Sequence, residues 1–243
     1  MSDSSDLDED LVTRLGWMHS GTRFFEAQLA QLSDADLLEP SRLPGWTRRH
    51  VLSHMANNAT ALMNLLDWAR TGVENPMYDS REQRAADIES GAQRPAAELR
   101  TEAIVTADRL AAAIDAMPRP AWAGTIRTAL GRPVTGFEVP WMRVREVWVH
   151  GVDLGASATF ADIDPEVTLA LLDEAVRSLA GRADCPPVRI VTDRGDVFGI
   201  GPMGAETVDV RGTTTAVGAW VLGRSSGSDL VAPAGLPVLP PWL

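Results

Sequence analysis

The sequence predicts an α+β protein, with an antiparallel four-helix bundle over 1–160 and a small α+β domain over 161–243. Three observations predict it. Apolar residues recur at helical spacing in long stretches of the first part. Beyond residue 160, short β-rich runs broken by glycine and aspartate take over. A chain of 243 residues that is 45% hydrophobic can bury one large core or two small ones.

The first helix spans 11–32 and carries Leu11, Leu15, Met18, Phe25, Leu29 and Leu32 at helical spacing. Pro40 and Pro44-Gly45 break it off. Thr47 then stands at the N-cap of an apolar-rich helix over 48–70, which Gly72, Asn75 and Pro76 end. Trp46 pins the loop before that helix. Residues 80–90 are polar and suit a short helix. Pro95 opens an alanine-dense helix over 96–117. Pro118, Pro120, Gly131 and Pro133 mark a loop with an extended piece near 125–130, and the last bundle helix covers 139–154. In the second part, Asp164-Pro165 starts a helix that runs to 179. Strands follow at 188–192, 197–200 and 207–210, punctuated as in hairpins, then a helix over 213–222 and an extended tail.

Composition removes several kinds of chemistry. Aspartate and glutamate total 33 against 22 basic residues, a net charge of −11, which disfavours nucleic acid and anionic membranes. Every one of the 22 basic residues is arginine, so no lysine Schiff base, Walker lysine or lysine general base is available. The single cysteine, Cys185, forbids internal disulfides and multi-cysteine metal sites, and it reads as structural. The acidic start MSDSSDLDEDL has no secretory pattern, and no apolar run suits a membrane span, so the expected location is the cytoplasm.

Histidine spacing supplies a candidate site. Glu146 and His150 are four apart on one helix, and so are His50 and His54 on another, so each pair shares a face. Two bundle helices that offer imidazole and carboxylate inward can hold a metal. Spacing alone equally allows a helical ion pair for Glu146–His150 and coincidence for His50–His54. Three ligands with an open fourth position would make a catalytic type of site, suited to zinc and also open to nickel, iron or manganese. Arg224 follows a helix and precedes a glycine–serine loop, where it could grip a carboxylate or simply cap the helix. Arg84, in the polar segment after the second helix, is a weaker candidate. Asp153, one turn beyond His150, reads as a partner of the site or a surface group, and a general base would be its third possible role.

Several segments resemble a known family. Leu43-Pro44-Gly45-Trp46-Thr47 with Val51-Leu52-Ser53-His54, the run REVWVHGVDLG from Arg145 to Gly155, WARTGVENPMY, WVLGR and PPWL are similar to the DinB-like, mycothiol-dependent maleylpyruvate isomerase family. The resemblance covers essentially the whole chain. It implies a divalent metal, expected to be zinc, held by His54, Glu146 and His150, with His50 near the site and not a ligand. It implies mycothiol as the thiol cosubstrate and maleylpyruvate as substrate, isomerised from cis to trans in gentisate breakdown. Arg224 matches the family's catalytic arginine and would bind substrate together with Arg84. The implied partners are small molecules only, with no nucleic acid and no membrane, and the expected working form is a monomer. The competing readings are a mycothiol S-transferase acting on electrophiles, a metal-binding protein without catalysis, and a zinc hydrolase.

Overall fold

Thr47 adopts extended backbone geometry (φ −81°, ψ 168°) and caps the helix that follows it, α2 (Arg48–Thr71). Its backbone N–H donates to Nδ1 of His50 at 3.1 Å, and its Oγ1 lies 2.8 Å from the same nitrogen. The last residue of α2 is followed by Gly72 at φ +73°, a left-handed stop that a side chain would resist. The computed structural model describes residues 4–204 and 206–242; residues 1–3 of the acidic start lie outside them, as do residues 205 and 243.

The described chain divides into two compact units, Met1–Ser157 and Ala158–Leu243. The first is built on α1 (Ser4–Leu29), α2, α4 (Ala96–Asp115) and α5 (Glu138–Asp153). A shorter helix, α3 (Arg81–Ala92), packs on α2, and a two-stranded ribbon joins β1 (Thr125–Arg127) to β2 (Pro133–Thr135). Within the bundle α1 packs on α5, α4 packs on α2, and α2 packs on α5. Leu52, Met55, Leu62, Leu65, Leu99, Val144 and Val147 form its sealed interior. Sequence periodicity places the first helix at 11–32, but it begins a turn or more earlier, at Ser4, and stops at Leu29.

Two contacts fix how α1 and α2 meet α5. Gly21 of α1 lets that helix come close to α5: a Cβ there would stand 2.5 Å from Val147 Cγ2 and 2.6 Å from Trp148 Nε1. Arg48, at the start of α2, closes the far end of α5. Its Nε donates to Leu154 O at 2.7 Å and its Nη2 to Gly155 O at 2.9 Å, satisfying carbonyls at and just beyond the end of that helix. The first turns of α2 and the last turns of α5 are thereby held side by side.

The second unit holds α6 (Pro165–Leu179), β3 (Val188–Thr192), β4 (Val197–Ile200), β5 (Val208–Gly212) and α7 (Thr214–Val221). Asp164 caps α6 by accepting from Glu166 N at 2.8 Å. The sheet order is β4-β3-β5. β3 and β4 form the antiparallel hairpin that the punctuation suggests. β5 departs from it, lying parallel to β3 with Val188 opposite Val208. Val188, Ile190 and Val210 are fully buried, so the central place of β3 gives its apolar residues a neighbour on each side.

Candidate metal centre

His54 sits in the second turn of α2 and is 3% exposed. Glu146 and His150 face it from one side of α5. Glu146 Oε2 lies 2.8 Å from His54 Nε2 and 3.1 Å from His150 Nε2, and the two Nε2 atoms are 3.1 Å apart. Three Lewis-basic atoms thus close a triangle. Ligand atoms bonded to one zinc ion at about 2.0–2.2 Å stand roughly 3–3.5 Å apart, close to the size of this triangle. Two imidazoles and one carboxylate also make a donor set that a divalent ion accepts. Among the described residues, these three form the group of His, Cys, Asp and Glu able to hold a metal ion.

The groups behind the triad orient it. Asp153 is fully buried, and its Oδ2 lies 2.9 Å from His150 Nδ1, so the ring's other nitrogen is presented to the triangle. This is the partner role among those open to Asp153 from spacing. Trp46 sets its ring edge-on to His54, with centroids 5.7 Å apart, and stacks on His50 at 6.1 Å. His50 does not point at the triangle. Its Nδ1 caps α2 through Thr47 and its Nε2 meets Glu89 Oε2 at 3.1 Å.

Electrostatics separate the three candidate ligands. Burial pushes Glu146 up, but the imidazoles of His54 and His150 outweigh it and hold the carboxyl well below its ordinary range. Burial lowers His54 and wins over the attraction of Glu146, so this ring favours the neutral form. Burial also opposes a charge on His150, but hydrogen bonds to Asp153 and Glu146 raise it to about 9.

Arg84 lies on α3 with Nη2 3.3 Å from His54 Nδ1, and its guanidinium stands 5.5 Å from the Tyr78 ring centroid. Spacing arguments pass over Tyr78, which is shielded beside Arg84 and whose phenol burial pushes upward. They also pass over Arg143, which is 2% exposed in α5. Burial lowers Arg143 to about 10, which leaves it a cation at neutral pH. An arginine inside the apolar face of a helix, one turn before Glu146, is the sequence signal that could have found it. Arg224 belongs to the second unit, just past α7 and after Gly223 at φ +73°. Its Nη1 donates to Leu222 O at 2.9 Å, as a C-terminal capping residue does.

Residues 18–155 match the family described as the mycothiol maleylpyruvate isomerase N-terminal domain. Over the whole chain, the fold is similar to a crystal structure of mycothiol-dependent maleylpyruvate isomerase, with a TM-score of 0.92, 34% identity and coverage of 96% of this chain and 97% of that one. A histidine-to-alanine mutant of a mycothiol-dependent maleylpyruvate isomerase matches with a TM-score of 0.91 at 33% identity over the same shares. YfiT from Bacillus subtilis, described as a probable metal-dependent hydrolase with an unusual four-helix bundle topology, has a TM-score of 0.50 at 13% identity. It covers 64% of this chain and 87% of its own, and the likeness is one of fold alone. Curated protein sequences give no significant match.

Proposed function

The chain belongs to the mycothiol maleylpyruvate isomerase N-terminal domain family, and from that premise we propose that it is a mycothiol-dependent isomerase that converts maleylpyruvate to fumarylpyruvate. The observation that carries this reading is the 34% identity to such an enzyme across both units, and not over the bundle alone. The triad supports it with one buried and two half-buried donors, the number a catalytic metal site takes from the protein.

His54, Glu146 and His150 would hold the divalent ion, expected to be zinc, although two imidazoles and a carboxylate also suit nickel, iron or manganese. A bound ion there would supply the acidity that makes the cosubstrate's thiol a thiolate at neutral pH. The one cysteine, Cys185, is buried in the second unit, and the similarity to a mycothiol-dependent enzyme supports mycothiol as the source of the sulfur. The thiolate adds to the double bond conjugated with the substrate's carbonyls, and the former double bond, now single, rotates. Expulsion of the same thiolate restores the double bond as trans, so the thiol is regenerated and no atom is gained or lost. Arg224 would orient a substrate carboxylate and stabilise the negative charge that develops on addition. Arg84, beside His54, would bind the substrate as a second cationic handle.

The test is spectrophotometric, with maleylpyruvate supplied together with mycothiol, glutathione or no thiol. Conversion to fumarylpyruvate with mycothiol only is the expected outcome. Conjugation of a model electrophile without isomerisation would replace the reading with an S-transferase. Absence of all thiol-dependent chemistry would replace it with a metal-binding protein.

A further inference from the structure

The polar column between α2 and α5 continues beyond the triad. On α5, Arg143, Glu146 and His150 fall on one stripe, and on α2 His54 and Asn58 fall on another. The helices run antiparallel along this column: His54 meets Glu146 and His150, and one turn further along α2 Asn58 meets Arg143. Asn58 and Arg143 are each 2% exposed. Nη1 of Arg143 donates to Asn58 Oδ1 at 2.8 Å and to the backbone carbonyl of Met55 at 3.0 Å. Met55 directly follows His54, so the guanidinium grips the stretch of backbone that carries a ligand.

A buried charge is costly, and apolar side chains of similar volume would fill the same space more cheaply. What apolar packing lacks is direction. A helix that slides by one residue moves by about 1.5 Å, which packing among aliphatic groups can absorb but ligand distances cannot. Two hydrogen bonds from one rigid guanidinium stop such a slide. We propose that Arg143, acting through Asn58 and the Met55 carbonyl, is a positioning residue that sets the register of α2 against α5 and so brings His54 onto Glu146 and His150. The inference rests on the metal reading above and concerns how that site is built.

The test uses the full chain and two readouts other than turnover: zinc affinity by competition with a chromophoric chelator, and the absorption spectrum of the cobalt-substituted protein. Asn58→Leu keeps the shape of the side chain and removes the acceptor. It is expected to weaken zinc binding by at least about tenfold and to alter the cobalt spectrum. Asn58→Asp keeps an acceptor for the guanidinium and is expected to stay within about threefold of wild type. An Asn58→Leu protein with wild-type affinity and spectrum overturns the proposal. If Asn58→Leu does not fold, Asn58→Ala is read by the same two measurements. A loss of at least about threefold supports the proposal there, and no loss overturns it. Failure of the wild-type chain to bind zinc would instead sink the metal reading itself.

Discussion

At the residue scale, the proton on His150 is the quantity most open to measurement. Asp153 and Glu146 face its two ring nitrogens, and they raise it to about 9 against the opposing effect of burial. A metal ion needs Nε2 unprotonated, so binding near neutral pH must displace that proton. Zinc binding at about pH 7.5 should release roughly one proton, read as the slope of calorimetric binding enthalpy against buffer ionisation enthalpy. The sign follows: apparent affinity climbs with pH while His150 is protonated, then levels off above about 9. A flat dependence between neutral pH and that value would contradict the assignment of His150 as a ligand. Two substitutions separate a proposed ligand from the proposed carboxylate-binding arginine. His54→Ala should remove bound metal and turnover together, with the helical circular dichroism kept. Isomerisation that persists without metal would defeat the scheme. Arg224→Ala should reduce turnover by about a hundredfold or more with metal content unchanged, since a lost charge-stabilising donor costs about that much. Loss of metal as well would make Arg224 structural.

At the element scale, the close contact of α1 with α5 makes a stability prediction. Glycine inside a helix costs roughly 0.5–1 kcal/mol relative to alanine, so Gly21 would gain from substitution if space allowed. It does not, because Val147 is β-branched and stiff, and Trp148 is held by its bond to Trp17 O at 3.0 Å and by stacking on Phe24 at 4.9 Å. Gly21→Ala should therefore lower the unfolding free energy by about 1–3 kcal/mol, measured by urea denaturation, and an unchanged midpoint would show that α1 can move away freely. The same scale shows what could be read from sequence. The bounds of α2 were legible because Thr47 and Gly72 are local signals that act on their own backbone. The pairing of Glu146 with His150 was legible because a helix repeats every 3.6 residues. The partners of these groups were not. Asp153 could face His150 or solvent, and only the packing of α5 against its neighbours turns it inward. Arg143 stands out by its place on the apolar face of α5, but the group it binds is not legible until Asn58 is placed opposite it. The parallel pairing of β5 with β3 likewise depends on a contact between distant segments, and the punctuation of each strand says nothing about it.

At the scale of the whole molecule, the charge of −11 opposes the reaction proposed for it, because maleylpyruvate is a dicarboxylate. The distances decide how this conflict resolves. One charge pair roughly 20 Å apart in water is worth about 0.2 kcal/mol, so the summed repulsion of eleven excess charges on two carboxylates reaches a few kcal/mol without salt. An arginine in contact at about 4 Å contributes a comparable amount from a single pair. Salt treats the two very differently. The Debye length falls from about 30 Å at 0.01 M to about 10 Å at 0.1 M, which removes most of the distant repulsion and little of the contact attraction. Raising sodium chloride over that range should therefore increase kcat/KM for maleylpyruvate several-fold, mainly through a lower KM. This is opposite to the behaviour of an enzyme whose net field steers its substrate inward. A fall in kcat/KM over the same range would mean that a basic patch, and not the acidic excess, governs the field the substrate meets. The arginines around the site would then attract the substrate from a distance as well as hold it.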